Sequence, residues 1–158
     1  MAQEIHIPFA AHLQFDTRQS AGGTAQIAYE ARPEHLNSFG IVHGGAVMTL
    51  LDVVMASAAR SLQPAMGMIT IELKTSFMRP AIGALVAHAE VLHQTRKMAF
   101  VQGHVENAAG LLCAHATGTF KYAPRPAMPA AATRCDEIAS DWRRRRHPPD
   151  RAQSLPIA

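Results

Sequence analysis

The feature that most constrains the fold is one long apolar segment, residues 46–62, which contains neither glycine nor proline. Its large apolar side chains surround a helical projection of the segment: Val47, Leu50, Leu51, Val53, Val54 and Met55. A helix that is apolar on every side is stable in water only where the rest of the chain covers it. The sequence therefore predicts a fold built around one buried helix, for which the other elements supply the covering.

The covering is predicted to be a sheet, because the other segments alternate between apolar and polar residues. The predicted strands are 24–31, 68–77, 84–95, 99–107 and 111–121, with turns at 95–97 and 107–110. Antiparallel partners point to the same face, which gives the last three strands one apolar face: Ala87, Ala89, Val91, Val101, Val105, Leu112, Ala114, Ala116 and Phe120. Strand 68–77 should place Ile69, Ile71, Leu73 and Phe77 on its apolar side and Thr70 on the other. The predicted class is α+β, an antiparallel sheet wrapped around one central helix.

Composition narrows the class of protein. The chain has 158 residues, 48% of them apolar and 17% charged, which fits a domain with a sizeable core. No uncharged apolar run reaches the length of about 20 residues that a membrane span needs, and the first residues do not have the pattern of a secretory signal. Two cysteines, Cys113 and Cys135, are too few for a disulfide scaffold. We expect free thiols and a cytoplasmic protein that binds no membrane.

The net charge of +3 arises in the last part of the sequence. Residues 123–158 contain seven arginines and four acidic residues, whereas residues 1–122 are neutral. We therefore predict a domain over 1–122 and a Pro/Ala/Arg-rich extension over 123–158, with one short helix at 136–146. A nucleic-acid partner would depend on the extension alone, and none is predicted.

The second face of the predicted sheet is polar and contains three histidines and two glutamates: His88, Glu90, Gln94, Gln102, His104, Glu106, His115 and Thr117. Such a set raises the question of a metal site. No short-spaced pair of the H-x-x-x-H or C-x-x-C kind supports one. The sequence analysis therefore assigns no metal and interprets this face as solvated or as a contact between subunits.

Residues 37–52 contain the main candidates for catalytic residues. Asp52 is the only charged residue between Glu34 and Arg60 and lies in the middle of the apolar helix. A carboxylate buried there without a partner costs several kcal/mol, so a catalytic role as base explains it better than stability does. Gly44 and Gly45 precede the helix, where free backbone N–H groups attract negative charge, as in an oxyanion hole. Two glycines alone could equally form a plain turn.

The spacing Asn37-x5-His43-Gly44-Gly45-x6-Asp52 resembles that of the hotdog-fold acyl-CoA thioesterases of the phenylacetate-degradation and 4-hydroxybenzoyl-CoA thioesterase type. The resemblance extends over residues 12–122 and includes the segments 77–81 and 114–120. It implies a hotdog fold that assembles as a dimer, often doubled to a tetramer, without a cofactor. It also implies that the Gly44 amide polarises the thioester carbonyl, while Asp52 activates water or attacks the carbonyl itself.

The remaining roles follow from the same resemblance. Asn37 and His43 would hold the loop and the water or thioester, and Thr70 occupies a position where some relatives have a serine near the water. The acyl group would lie between helix and sheet, against Gly45, Val47, Met48, Leu51 and Met55. Candidate cations for the CoA phosphates are Arg79, Arg96 and Lys97. The alternative is a non-catalytic acyl-CoA or acyl-carrier binding protein on the same fold.

Overall fold

The computed structural model describes residues 7–125, so the predictions for the extension beyond residue 125 lie outside the described part. A six-stranded antiparallel sheet, in the order β1-β2-β4-β5-β6-β3, surrounds one long helix. The elements, in chain order, are α1 (Pro8–His12), β1 (Asp16–Ala21), β2 (Thr24–Glu30), a 3-10 turn (Pro33–His35), α2 (Gly44–Leu62), β3 (Met66–Phe77), β4 (Ala84–Gln94), β5 (Met98–Asn107) and β6 (Leu112–Pro124). The predicted α+β architecture is confirmed.

Helix α2 is the centre of the core, as its sequence requires. Leu50, Leu51, Val54 and Met55 have no solvent exposure because the apolar face of the sheet covers them. By length and composition alone, α2 could also cross a membrane, with a mean hydropathy of 1.4. In this chain the sheet packs against one side of α2, and the buried residues of that side belong to the core.

One prediction about β3 is wrong. The simple alternation places Ile69 and Ile71 on the buried side and Thr70 on the other. In the structure the pairing with β6 is irregular between Thr70 and Glu72, where β3 contains one extra residue. Such a bulge shifts the alternation by one residue. Thr70 pairs with the buried Phe120 and points towards α2, whereas Ile69 and Ile71 are 51% and 56% exposed.

A second irregularity reverses another predicted orientation. Leu112 was expected on the apolar face, but the register between β5 and β6 shifts at this point and pairs Leu112 with Glu106. Cys113 enters the core instead and is only 1% exposed. Strand β1 is absent from the predicted elements, because each of its six residues is exposed and no alternation identifies it.

The outer face of the sheet is polar, as predicted. One row of paired residues crosses five strands in register: Gln26, His88, His104, His115 and Ser76. The rings of His88 and His104 stack with their centroids 5.1 Å apart and an interplanar angle of 15°. Burial lowers the pKa of His104, and the neighbouring His88 contributes in the same direction.

Candidate functional site at the start of α2

The first turn of α2 presents a free backbone donor. His43 is the N-cap residue, and its Nδ1 accepts a hydrogen bond of 2.9 Å from the N–H of Gly45. Among residues 7–125, no acceptor engages the N–H of Gly44. The helix macrodipole adds positive potential at this point, so the Gly44 amide can stabilise a developing oxyanion.

The two glycines differ in how tightly this geometry constrains them. A β-carbon at position 45 would lie 3.1 Å from Nδ1 of His43 and would displace the imidazole that caps the helix. A β-carbon at position 44 would lie 3.4 Å from Cζ of Phe77, which is ordinary contact, and would narrow the space beside the free amide. The pair of glycines therefore allows the cap and leaves room for a ligand.

Asn37 holds the loop that leads into α2. Its Oδ1 accepts from the N–H groups of Phe39 and Ile41, at 2.9 and 3.4 Å, and its own N–H donates to the Ile41 carbonyl at 2.9 Å. Gly40 completes the turn with a φ of 71°, a conformation that favours glycine. The N–H of His43 donates to the carbonyl of the buried His35 at 2.9 Å, which fixes the end of the loop.

Asp52 lies two turns further along α2 and is half-buried, not fully buried as its apolar neighbours suggest. Its Oδ1 accepts a hydrogen bond of 2.7 Å from the hydroxyl of Thr70. The β3 bulge makes this contact possible, because it turns Thr70 towards the helix. The carboxylate therefore has a fixed orientation and remains in contact with solvent, as a general base requires.

A cavity of about 370 Å³ lies beside the start of α2. Gly44 and Val47 form part of its wall, opposite Phe77, Ala81 and Cys113, with Asn37 and Arg79 adding polar groups. Asp52 and Thr70 do not line this cavity. Gly44 and Asp52 are eight residues apart, which corresponds to about 12 Å along the helix axis. One chain therefore holds the free amide and the carboxylate in two separate places.

The predicted substrate-binding residues divide into three groups. Gly45 lies in the first turn and Val47 lines the cavity, but Leu51 and Met55 are core residues with no exposure. Met48 is 39% exposed at the edge of the covered side, one turn nearer the start of α2. Leu51 and Met55 are thus corrected from ligand contacts to core, because the sheet covers that side of the helix.

The predicted cations are also separated. Arg79 lines the cavity, and its guanidinium donates to the Leu112 carbonyl at 3.0 Å. Arg96 and Lys97 lie in the turn between β4 and β5. Tyr122 donates its N–H to the Lys97 carbonyl and its hydroxyl to the Ala59 carbonyl, both at 2.9 Å, which places this turn near the last turns of α2. Within one chain, only Arg79 of the three is at the cavity.

Sequence reasoning did not assign Phe77, Ala81 or Cys113 to the cavity, although residues 77–81 carried part of the resemblance. Burial raises the pKa of the Cys113 thiol, which favours the neutral and less nucleophilic form of this side chain in the cavity wall. The sequence carries no signal that identifies Cys113. Its inward orientation depends on the β6 irregularity, which an alternating pattern does not reveal.

An antiparallel sheet wrapped around one long helix is the architecture of the hotdog fold. A model of the thioesterase superfamily matches residues 39–114. A Pseudomonas aeruginosa protein named "Putative esterase PA0474" is 33% identical over 109 residues, which cover 67% of this chain and 81% of that protein. The chain belongs to the thioesterase superfamily.

Two further relatives are informative. "Acyl-coenzyme A thioesterase 13" of Pongo abelii is 29% identical over 92 residues, or 57% of this chain and 66% of that protein. The crystal structure of a Ralstonia eutropha JMP134 protein described as a "putative thioesterase, phenylacetic acid degradation-related protein" superimposes with a TM-score of 0.68 at 31% identity. That match covers 75% of this chain and 93% of the other. The chain spans less than two thirds of some curated relatives, for example 63% of one from Archaeoglobus fulgidus.

Proposed function

We propose that the protein is an acyl-CoA thioesterase, which hydrolyses a thioester to a free acid and coenzyme A. The observation that carries this proposal is that one chain contains two separate half-sites. One half-site is the free Gly44 amide beside a cavity, and the other is the Asp52 carboxylate held by Thr70. Together they supply an oxyanion donor and a base, the two groups that acyl transfer to water requires.

The chemistry follows from these groups. The thioester carbonyl oxygen accepts from the Gly44 N–H, while the Asp52 carboxylate takes a proton from water. The hydroxide adds to the carbonyl carbon, and the tetrahedral oxyanion is held at the helix start. Cleavage of the C–S bond releases the thiolate, which recovers the proton from Asp52. In the other mechanism that these residues allow, the Asp52 carboxylate adds to the carbonyl carbon and the C–S bond breaks, which releases the thiolate and leaves a mixed anhydride. Water then cleaves the anhydride to the free acid and the Asp52 carboxylate, and the proton that is released goes to the thiolate.

The site is shared between two copies of the chain. The oxyanion donor and the base must both reach within about 3 Å of the reacting atoms, whereas about 12 Å of helix separates them within one chain. Two antiparallel helices related by a twofold axis bring Gly44 of one copy next to Asp52 of the other and create two equivalent sites.

Strand β3 supports this assembly. It lies at the edge of the sheet, and its exposed apolar residues include Ile69, Ile71 and Phe77, each more than half exposed. An edge strand of this length with open backbone groups is suited to pair with another strand. Thr70 is on the same strand and binds Asp52, so the edge and the base are parts of one surface.

The cavity supports a proposal for where the acyl group and the coenzyme A part of the substrate bind. The acyl group would lie against Val47, Phe77 and Ala81, and the volume of about 370 Å³ suits a small aromatic acyl group. Arg79 would face the phosphates of coenzyme A, since a guanidinium binds phosphate well.

A panel of acyl-CoA esters and a thiol reagent that reports free coenzyme A test the activity. The proposal expects turnover of at least one ester by the wild-type chain. If no ester is hydrolysed and an acyl-CoA still binds saturably, the protein is a non-catalytic acyl-CoA binding protein and the proposed activity is wrong.

Mixed dimers test the shared site. Asp52→Asn and Gly44→Pro subunits, both inactive alone, are unfolded and refolded together. Random pairing makes about half of the dimers mixed, and each mixed dimer contains one intact site of two. About a quarter of the wild-type activity should return. A mixture that stays inactive, although mixed dimers form by native mass spectrometry, contradicts the shared site.

A further inference from the structure

A second site lies on the other face of the sheet. His88 of β4 and His104 of β5 are directly paired across the two strands, and Glu106 follows His104 by two residues on the same strand. Residues two apart on a strand point to the same face, so all three side chains share the outer surface, away from α2. They are therefore separate from the thioesterase half-sites.

These three side chains converge. Each offers one donor atom, and the three donor atoms all lie within 4.8 Å of one another. Nε2 of His104 is 3.5 Å from Oε1 of Glu106. Around a metal ion with metal–nitrogen bonds of about 2.0–2.1 Å, neighbouring donors are about 3 to 4 Å apart. Small side-chain rotations are enough to bring the three donors onto one ion.

We propose that His88, His104 and Glu106 form a binding site for a divalent transition-metal ion. Two imidazoles and one carboxylate are the ligand set of open zinc sites, in which a fourth position remains for water or another ligand. Imidazole donors favour zinc, copper or nickel over magnesium and calcium, which prefer oxygen ligands.

A neighbouring cavity leaves room for the fourth ligand of the metal ion. A cavity of about 340 Å³ on the same face is lined by His88, His104, Glu90 and Gln102. The register pairs Glu90 with Gln102 on one side of the histidine pair, and Glu106 lies on the other side. The protein ligands thus come from one side, while the cavity opens on the side of Glu90.

Two of the nearby polar groups are engaged with one another, since Gln102 donates to the Glu90 carboxylate at 2.6 Å. His115 is paired with His104 from β6 but lies outside the cluster, which leaves His88, His104 and Glu106 as the ligand set. The sequence alone predicts no metal site here, because the two histidines are not closely spaced. The pairing of β4 with β5 supplies the proximity that the spacing does not.

The test is a titration of the chelator-treated full chain with Zn²⁺ by isothermal calorimetry at pH 7.5. We expect saturable binding of one ion per chain, weakened by about 10-fold or more in His88→Ala and in His104→Ala. The matched control is His93→Ala, since His93 is an exposed histidine on the same strand as His88 and lies outside the cluster. Its affinity should equal that of the wild type.

A second readout separates binding at this site from binding elsewhere. Zn²⁺ should raise the melting temperature of the wild type and of His93→Ala, and should not raise that of His104→Ala. Glu106→Gln, which keeps the shape of the side chain, replaces any histidine variant that does not fold. The proposal is overturned if no saturable binding occurs, or if His88→Ala, His104→Ala and Glu106→Gln all bind Zn²⁺ as the wild type does.

Discussion

The two sides of α2 have similar apolar sequences and different environments. On the covered side, Leu51, Val54 and Met55 have no exposure, because the sheet packs against them. The open side begins at Met48, which is 39% exposed, and continues to the half-buried Asp52, in line with Gly45 two turns earlier. Apolar residues on every side of a helix therefore do not identify which side the chain itself covers. The proposed second copy of the chain covers the other side.

The largest expected effect is on stability and belongs to the covered side. Leu51→Ala should lower the free energy of unfolding by about 2–5 kcal/mol, since it leaves a cavity in a close-packed core. Met48→Ala, the control on the open side, should change it by less than about 0.5 kcal/mol in the monomer. Urea denaturation measures both. Equal losses for the two variants would remove the distinction between the sides.

Gly44→Pro should lower kcat by about 10²–10³-fold, because proline has no N–H to hold the oxyanion. Proline is well tolerated at the first helical position, and His43, with a ψ of 134°, already has the extended conformation that precedes proline. Gly44→Ala keeps the N–H and should lose much less activity. Steady-state kinetics compare the two, and a similar kcat for both variants would contradict the role of the amide.

Asp52→Asn should lower kcat by at least about 100-fold. The asparagine Oδ1 can still accept the hydrogen bond from Thr70, so only the charge and the proton acceptor are lost. The melting temperature should stay the same or rise, since a charge is removed from an apolar helix. If activity is retained, the assignment of Asp52 as base or nucleophile is wrong, and if stability collapses, Asp52 is a structural partner.

Thr70→Val should lower kcat about 10-fold, because the Asp52 carboxylate loses the hydroxyl that orients it. Thr70→Ser keeps a hydroxyl and should retain most of the activity. The two variants isolate the hydrogen bond from the shape of the side chain. Identical kinetics for valine and serine would show that the 2.7 Å contact does not position the carboxylate.

The fold could be predicted to the extent that hydrophobic burial determines it. Helix α2 and strands β4 and β5 follow from periodicity, because their apolar residues must face one core. Strand β1 does not, since its six exposed residues carry no pattern and are held by pairing with β2. Pairing depends on backbone hydrogen bonds, which every residue type except proline can form.

The residues of the candidate site stay a prediction from the motif, and their geometry could not be predicted from the sequence. The motif identifies Asn37, Gly44 and Asp52, but the contact of Thr70 with Asp52 depends on the extra residue in β3. A bulge changes the face of every residue beyond it and leaves little trace in composition. Leu51 and Met55 were misplaced for a related reason, since periodicity ranks residues as apolar without showing what covers them.

The position of β3 has a consequence for synthesis of the chain on the ribosome. This strand directly follows α2 in the sequence, yet it pairs with β6, from Met66 opposite Pro124 to Phe77 opposite Ala114. Its partner is therefore the last strand of residues 7–125 to emerge, and until then α2 and the apolar residues of β3 lack a complete covering. Such non-local pairing slows folding and exposes nascent chains to aggregation. A ribosome that stalls before residue 112 would release a chain in which the central helix has no closed sheet around it.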